Sequence, residues 1–201
     1  KKMSWCPGDF LHELPKTDLH VHLDGSLRLS TLIELAQQEG VKMPSYDEGE
    51  LRRTVFRDSY KDLPEYLEGF QYTVAVMRTA DNLERIGYEF AEDNFNENVR
   101  YFEVRFAPQL VAALRSFRSQ GKKDGEKCGL NIEEVLLAVN TGLKRATEEA
   151  NTRRKEREAI TGVAEPMFDY GIIVCAMRSF PPCEYYDAFL EVHENLDYER
   201  V

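Results

Sequence analysis

Two of the four histidines in this chain stand at alternate positions in Leu19-His20-Val21-His22-Leu23-Asp24-Gly25-Ser26, and an aspartate continues the series. In an extended segment alternate side chains face the same way, so His20, His22 and Asp24 are expected on one face and Leu19, Val21 and Leu23 on the other. Two imidazoles converging from one strand suit a divalent ion. Zinc takes neutral histidine nitrogens at about 2.0–2.1 Å, and a catalytic zinc also needs ligands from elsewhere and an open position for water. His20 and His22 are therefore read as half of a metal site. The competing reading is a pair of solvated histidines on an open sheet face. The apolar flank opposes it, because burying one side of the strand makes unpaired imidazoles costly. Asp24 falls where strand gives way to turn, with Gly25 supplying a permissive backbone. It is either a site carboxylate or an ordinary turn residue.

Composition narrows what such a site could serve. With 201 residues, 42% hydrophobic and 31% charged, the chain reads as a soluble globular domain with enough length for a real core. A formal net charge of −10 disfavours nucleic acid and anionic membranes as partners, since both are held by clustered positive charge. A small neutral or cationic ligand fits better. No apolar run approaches the roughly 20 residues of a membrane span, and residues 1–10 lack a signal-peptide core, so a cytoplasmic location is expected. Cys6, Cys128, Cys175 and Cys183 show no C-x-x-C spacing, and Cys175 in its apolar run reads as a buried reduced thiol. Pro182-Cys183 lacks the second cysteine and the H-x-E partner of the cytidine-type zinc deaminases, which excludes that group.

The elements that must position the histidines are legible in outline. A strand over about Thr17 to Leu23 leads to a helix with Ser30 as N-cap and Gly40 just past its end, with Leu32, Ile33, Leu35 and Ala36 inward. A second helix starts at Leu63-Pro64, placing Leu63, Tyr66, Leu67 and Phe70 at helical spacing. That stripe packs the core or walls an apolar pocket. A third helix, about Asn82 to Glu97, feeds a strand over Val99–Ala107. There Phe102, Val104 and Phe106 alternate with Glu103 and Arg105, which are expected to pair inside a barrel. Residues 116–129 read as an exposed loop. A long helix follows from Ile132, with Asn131 as N-cap, Glu134 closing a capping box and a solvated charged end over Glu148 to Glu158. Tyr170 to Met177 is an apolar strand of the kind covered on both faces, and Tyr185 to Glu199 reads as a final helix carrying a surface His193.

Three strands, each followed by helical sequence, give one α/β domain over 1–201 with right-handed crossovers. The architecture expected is a TIM (β/α)8 barrel, with only about the first three β/α units present and Asp24, Ala107 and Met177 together at its C-terminal face. Because such a barrel needs on the order of 250 residues, the chain is expected to be the N-terminal part of a longer protein. Its partner would be the missing C-terminal half of the same barrel.

The segment Leu14-Pro15-Lys16-Thr17-Asp18-Leu19-His20-Val21-His22-Leu23-Asp24-Gly25-Ser26 resembles the opening motif of the adenosine deaminase family, within the metal-dependent amidohydrolase superfamily. The likeness continues through Tyr66-Leu67-Glu68-Gly69-Phe70, Tyr101 to Pro108 and Ile173 to Arg178. The resemblance implies that His20 and His22 are ligands of one zinc ion (Zn2+) per active site and that Asp24 accepts from a ribose 5′-hydroxyl. It also implies that Leu63, Tyr66, Leu67, Phe70 and Met177 line an apolar pocket around a purine nucleoside. The implied reaction is hydrolytic deamination of adenosine or 2′-deoxyadenosine to the inosine form and ammonia. The family also uses a third zinc-binding histidine, a glutamate that protonates the ring, a histidine oriented at the attacking water and a late aspartate. None of these has a counterpart here, and His12 and His193 lie outside the matching motifs. No catalytic residue is therefore assigned within the chain; the catalytic groups are expected beyond Val201, and the chain alone is expected to be inactive. Relatives acting on adenine or on N6-modified AMP, and a non-catalytic barrel that keeps ligand binding, are the alternatives. A phosphate beside Asp24 would be repelled, which favours a free 5′-hydroxyl.

Overall fold

A computed structural model describes residues 8–112 and 129–177. Most of the loop expected over 116–129, Cys183 and the helix expected over 185–199 with its His193 lie outside the described residues. So does Val201, the point beyond which the catalytic groups are expected. A short α1 (Gly8–Glu13) precedes β1 (Lys16–His22); α2 (Leu29–Glu39), α3 (Glu48–Thr54), α4 (Leu63–Leu67), α5 (Phe70–Val76) and α6 (Ala80–Asn96) then lead to β2 (Val99–Phe106). A 3-10 turn at Pro108–Leu110, α7 (Ile132–Thr161) and β3 (Asp169–Val174) complete the order. The three strands form one parallel sheet in the order β1-β2-β3. Among the described residues no helix is long and apolar enough to cross a membrane.

Helices α6 and α7 cover one face of the sheet, and the alternation in β2 explains how. Phe102, Val104 and Phe106 are buried while Tyr101, Glu103 and Arg105 are only partly covered. Phe102 meets Phe90 of α6 edge-on at 5.0 Å and stacks on Tyr170 of β3 at 5.7 Å, arrangements that aromatic quadrupoles favour. The Tyr170 hydroxyl donates to Asn140 Oδ1 of α7 (2.6 Å). α6 and α7 approach unusually closely where Gly87 faces Gly142. A Cβ on Gly87 would stand 2.7 Å from the Val139 carbonyl oxygen, and one on Gly142 would strike the Glu84 carbonyl and come within 2.7 Å of the Tyr88 amide nitrogen.

The local end signals behave as their chemistry requires. Gly40 adopts φ 67° at the end of α2, where an L side chain would be strained. Asn131 and Glu134 form the reciprocal capping box (Glu134 N–H to Asn131 Oδ1 2.8 Å, Asn131 N–H to Glu134 Oε2 2.9 Å). Replacing Asn131 with alanine is expected to cost about 1 kcal/mol, read as a lowered denaturation midpoint with metal affinity unchanged.

Several expectations are corrected. Ser30 lies inside α2 and is exposed; Arg28 occupies the N-cap position and instead reaches across to Asp93 and Glu92 of α6, bidentate to Asp93. The helix expected to run on from Leu63 is interrupted at Glu68–Gly69, which divides α4 from α5; Gly69 there packs against the Phe56 ring, 3.1 Å from where a Cβ would stand. The charged end of α7 is not simply solvated. Ala146 and Ala150 are buried, Asn151 exchanges two hydrogen bonds with the Phe168 backbone (2.8 and 3.0 Å), and Arg157 grips Glu165 through two nitrogens (2.8 and 2.7 Å). These contacts hold the turn that delivers β3. Glu103 and Arg105 do not pair with each other: Glu103 accepts from the Tyr101 hydroxyl (3.2 Å), and Arg105 donates to the Leu19 carbonyl (2.9 Å). Leu19 is 54% exposed, so the expected apolar face of β1 begins only at Val21.

Candidate metal and substrate site

The end of β1 is fixed by its ladder to β2 and by the turn that follows. His22 pairs with Arg105, and Leu23 N–H donates to the Arg105 carbonyl (3.0 Å), carrying the ladder one residue past the strand. The His22 carbonyl then accepts from Gly25 N–H (3.3 Å) and from the Ser26 hydroxyl (2.6 Å), which closes a tight turn. Leu23 is thereby driven into the core and Asp24 is held beneath the turn. His20 and His22 share one exposed side, with ring centres 5.7 Å apart and planes at 44°. Two imidazoles bound to one ion through nitrogens at about 2.0–2.1 Å have ring centres roughly 5–6 Å apart. The observed spacing therefore suits a shared ion.

Asp24 is 7% exposed, and its Oδ1 has no hydrogen-bond partner among the described residues. Burial pushes the carboxyl above its ordinary range; the nearby His22 and the backbone amides of Asp24 and Gly25 work against that rise. The His22 Nδ1 lies 3.9 Å from Asp24 Oδ1, too far for a hydrogen bond. A buried acceptor without a donor is costly. It is satisfied if a ligand brings a hydroxyl to it.

The expected pocket residues come together only in part. Phe70 reaches the turn after β1: its Cζ lies 3.4 Å from where a Cβ on Gly25 would stand. Tyr66 contacts Phe70 edge-on at 5.5 Å, and Tyr60 meets Tyr66 at 5.2 Å, so an aromatic ladder descends from α4 to the β1 turn. Leu63 and Leu67 stay on α4 at 64% and 49% exposed. Met177, three residues past β3, is exposed as well. Cys175, just past the end of β3, is a free, half-buried thiol whose pKa burial raises, and its N–H donates to the Phe106 carbonyl (3.0 Å).

The donor set fits zinc: two neutral-type nitrogens on one side of a strand end, beside a buried carboxylate. Among the described residues no cluster of three or more His, Cys, Asp or Glu could hold a metal, so an ion here needs donors beyond them. Sequence reasoning passed over Asp18 and Arg105 as supports of the site; between them they hold the N–H and the carbonyl of the Leu19–His20 peptide. An aspartate two residues before a ligand, able to accept from that ligand's N–H, was the available signal for the first. The second depends on strand register.

The sequence model of the family described as "Adenosine deaminase" matches residues 15–178. A Dictyostelium discoideum protein named "Probable adenosine deaminase" is 37% identical over 175 residues, covering 87% of this chain and 19% of that protein. An "Adenosine deaminase" of Clostridium botulinum is 44% identical over 135 residues, covering 67% of this chain and 37% of that protein. The chain thus spans well under half the length of these curated relatives. Among solved structures, Arabidopsis ADAL complexed with GMP superposes with a TM-score of 0.62 at 23% identity, over 92% of this chain and 48% of that chain. The adenine deaminase of Arthrobacter aurescens gives 0.54 at 19% identity, over 90% and 54%. At such identities these likenesses bear on the fold alone.

Proposed function

This chain belongs to the adenosine deaminase family, and on that premise we propose that the intact protein hydrolyses adenosine and 2′-deoxyadenosine to inosine and 2′-deoxyinosine. The observation that carries this reading is the end of β1, where His20 and His22 face one side at 5.7 Å beside a buried Asp24 with an unsatisfied oxygen. The described sheet would supply the first three strands of an eight-stranded barrel, whose strand ends carry the chemistry.

In this reading a C–O bond forms at the purine carbon that bears the amine, the C–N bond breaks, and ammonia leaves. When bound, zinc lowers the pKa of a coordinated water toward about 7 and so makes the nucleophile available at neutral pH. His20 and His22 hold the ion as neutral imidazoles. Asp24 accepts from the ribose 5′-hydroxyl, which satisfies its buried oxygen and sets the distance between ribose and metal. Phe70 and Tyr66 pack against the purine and exclude water from the reacting face, with Leu63, Leu67 and Met177 at the open entrance of the pocket. The groups that shuttle protons to and from the ring are assigned to other strands of the intact barrel.

A substrate panel tests the reading: adenosine, 2′-deoxyadenosine, adenine and N6-methyl-AMP offered to the intact protein, with the released amine measured as ammonia from the first three and as methylamine from the last. The nucleosides should be strongly preferred. A preference for adenine or for the nucleotide would contradict the assignment of Asp24. Replacing Asp24 with alanine removes a hydrogen bond to a charged acceptor worth about 1.5–3 kcal/mol, so KM for adenosine should rise roughly 10–100-fold. The same change should leave KM for 5′-deoxyadenosine, which lacks the hydroxyl, almost unaltered.

A further inference from the structure

The register of β1 against β2 is irregular beside the histidines. Lys16 pairs with Val99 and Thr17 with Tyr101, which leaves Arg100 as an extra residue on β2; Asp18 then pairs with Phe102 but Val21 with Val104, leaving an extra residue on β1. The two offsets cancel, and His22 meets Arg105. The second offset decides where the histidines point. Continued regularly from Asp18 and Phe102, the ladder would set His20 opposite Val104 and His22 opposite Phe106, on the face that is buried under α6 and α7. A one-residue slip turns every side chain to the other face. The bulge at Leu19-His20 returns both imidazoles to the open face; Leu19, opposite Glu103 in the regular continuation, already stands there, so Leu19 and His20 are exposed in succession.

Bulges are rare between parallel strands, and where they occur beside sites they re-aim side chains. This one is held by side chains at both of its freed backbone groups. The His20 N–H donates to Asp18 Oδ1 (3.1 Å), and the Leu19 carbonyl accepts from Arg105 Nη2 (2.9 Å). Arg105 is also the register partner of His22, so one residue of β2 fixes the backbone at both ends of the His20-Val21-His22 segment. Neither contact touches a ligand ring.

We propose that Asp18 and Arg105 are positioning residues for the metal ligands: they hold open the β1 bulge that places His20 and His22 on one accessible face. The inference rests on the reading of those histidines as zinc ligands. Loss of either support lets Leu19-His20 relax toward regular pairing, which weakens the ion's hold and alters its geometry while leaving every ligand in the sequence.

The test measures zinc affinity by chelator competition and the visible spectrum of the cobalt-substituted intact protein. Asp18→Ala and Arg105→Met should bind zinc about 10–100-fold more weakly, the range seen when supports outside the ligand set are removed, with a shifted cobalt spectrum. Asp18→Asn, which keeps the acceptor, and Arg105→Lys, which keeps a donor, should stay within about 3-fold of the parent. If a truncated variant does not fold, Asp18→Glu is compared with Asp18→Asn: the longer side chain keeps the charge but misplaces the acceptor, and it alone should lose zinc. Unchanged zinc affinity and cobalt spectrum in Asp18→Ala and Arg105→Met, or in Asp18→Glu, overturn the proposal even if stability falls. A parent protein that binds no zinc overturns the ligand assignment itself and this inference with it.

Discussion

Alanine at His20 or His22 is expected to strip the intact protein of its metal and nearly all of its deaminase activity. The two rings supply one side of the donor set, and either one alone leaves the ion with a single ligand from β1. If the ion contributes about 4 kcal/mol to stabilising the reaction's transition state, its loss lowers kcat/KM by roughly 10^3-fold. Zinc should fall from about one per chain to below about a tenth. Metal analysis and ammonia release on the same preparations check both numbers. His12→Ala is the control, since that residue sits on α1, away from the turn after β1, and both readouts should stay at the parent level. Retained zinc and activity within tenfold of the parent in His20→Ala would mean that the ion, if present, is held elsewhere.

The second large effect concerns stability rather than chemistry. Alanine at Gly142 should destabilise the protein by about 3 kcal/mol or more, at or beyond the upper end of ordinary overpacking. The added methyl would meet the Glu84 carbonyl and the Tyr88 amide, which are backbone atoms of α6 and cannot rotate away. In an unpacked helix the same substitution would stabilise by about 1 kcal/mol through propensity, so the sign of the change is diagnostic. Gly87→Ala should act in the same direction through the Val139 carbonyl. Thr141→Ala, exposed on the neighbouring position, should stay within about 0.5 kcal/mol. Denaturant unfolding of the three variants measures this directly. A Gly142→Ala protein as stable as its parent would show that α6 and α7 do not cross at that point.

What could be read from the residues was local in origin. Gly40, the Asn131–Glu134 capping box and the alternation of Phe102, Val104 and Phe106 each depend on neighbours within a turn or a strand, and each stands as its chemistry suggests. His20 and His22 also share one side, as two positions of a strand should, although which face of the sheet they share is set by the bulge. What escaped depends on partners distant in sequence. The bulge at Leu19-His20 exists only in register with β2, so strict alternation put Leu19 on the wrong face. Arg105 looked like the partner of Glu103, yet a backbone carbonyl 86 residues away takes its guanidinium. The packing of Gly69 on Phe56 and the Gly87–Gly142 crossing leave no periodic pattern. Of the pocket, Phe70 and Tyr66 form a chain of contacts to the β1 turn, whereas Leu63, Leu67 and Met177 remain open to solvent.

Whether the strand end at His20 and His22 holds the metal of an adenosine-deaminating site can be decided by diffraction from crystals of the intact protein, recorded at the zinc absorption edge. One anomalous peak is expected within about 2.0–2.3 Å of a ring nitrogen of both His20 and His22, on the open side of β1 and near Asp24. A protein that deaminates adenosine with no peak there, or with its zinc bound by other residues, would refute the assignment.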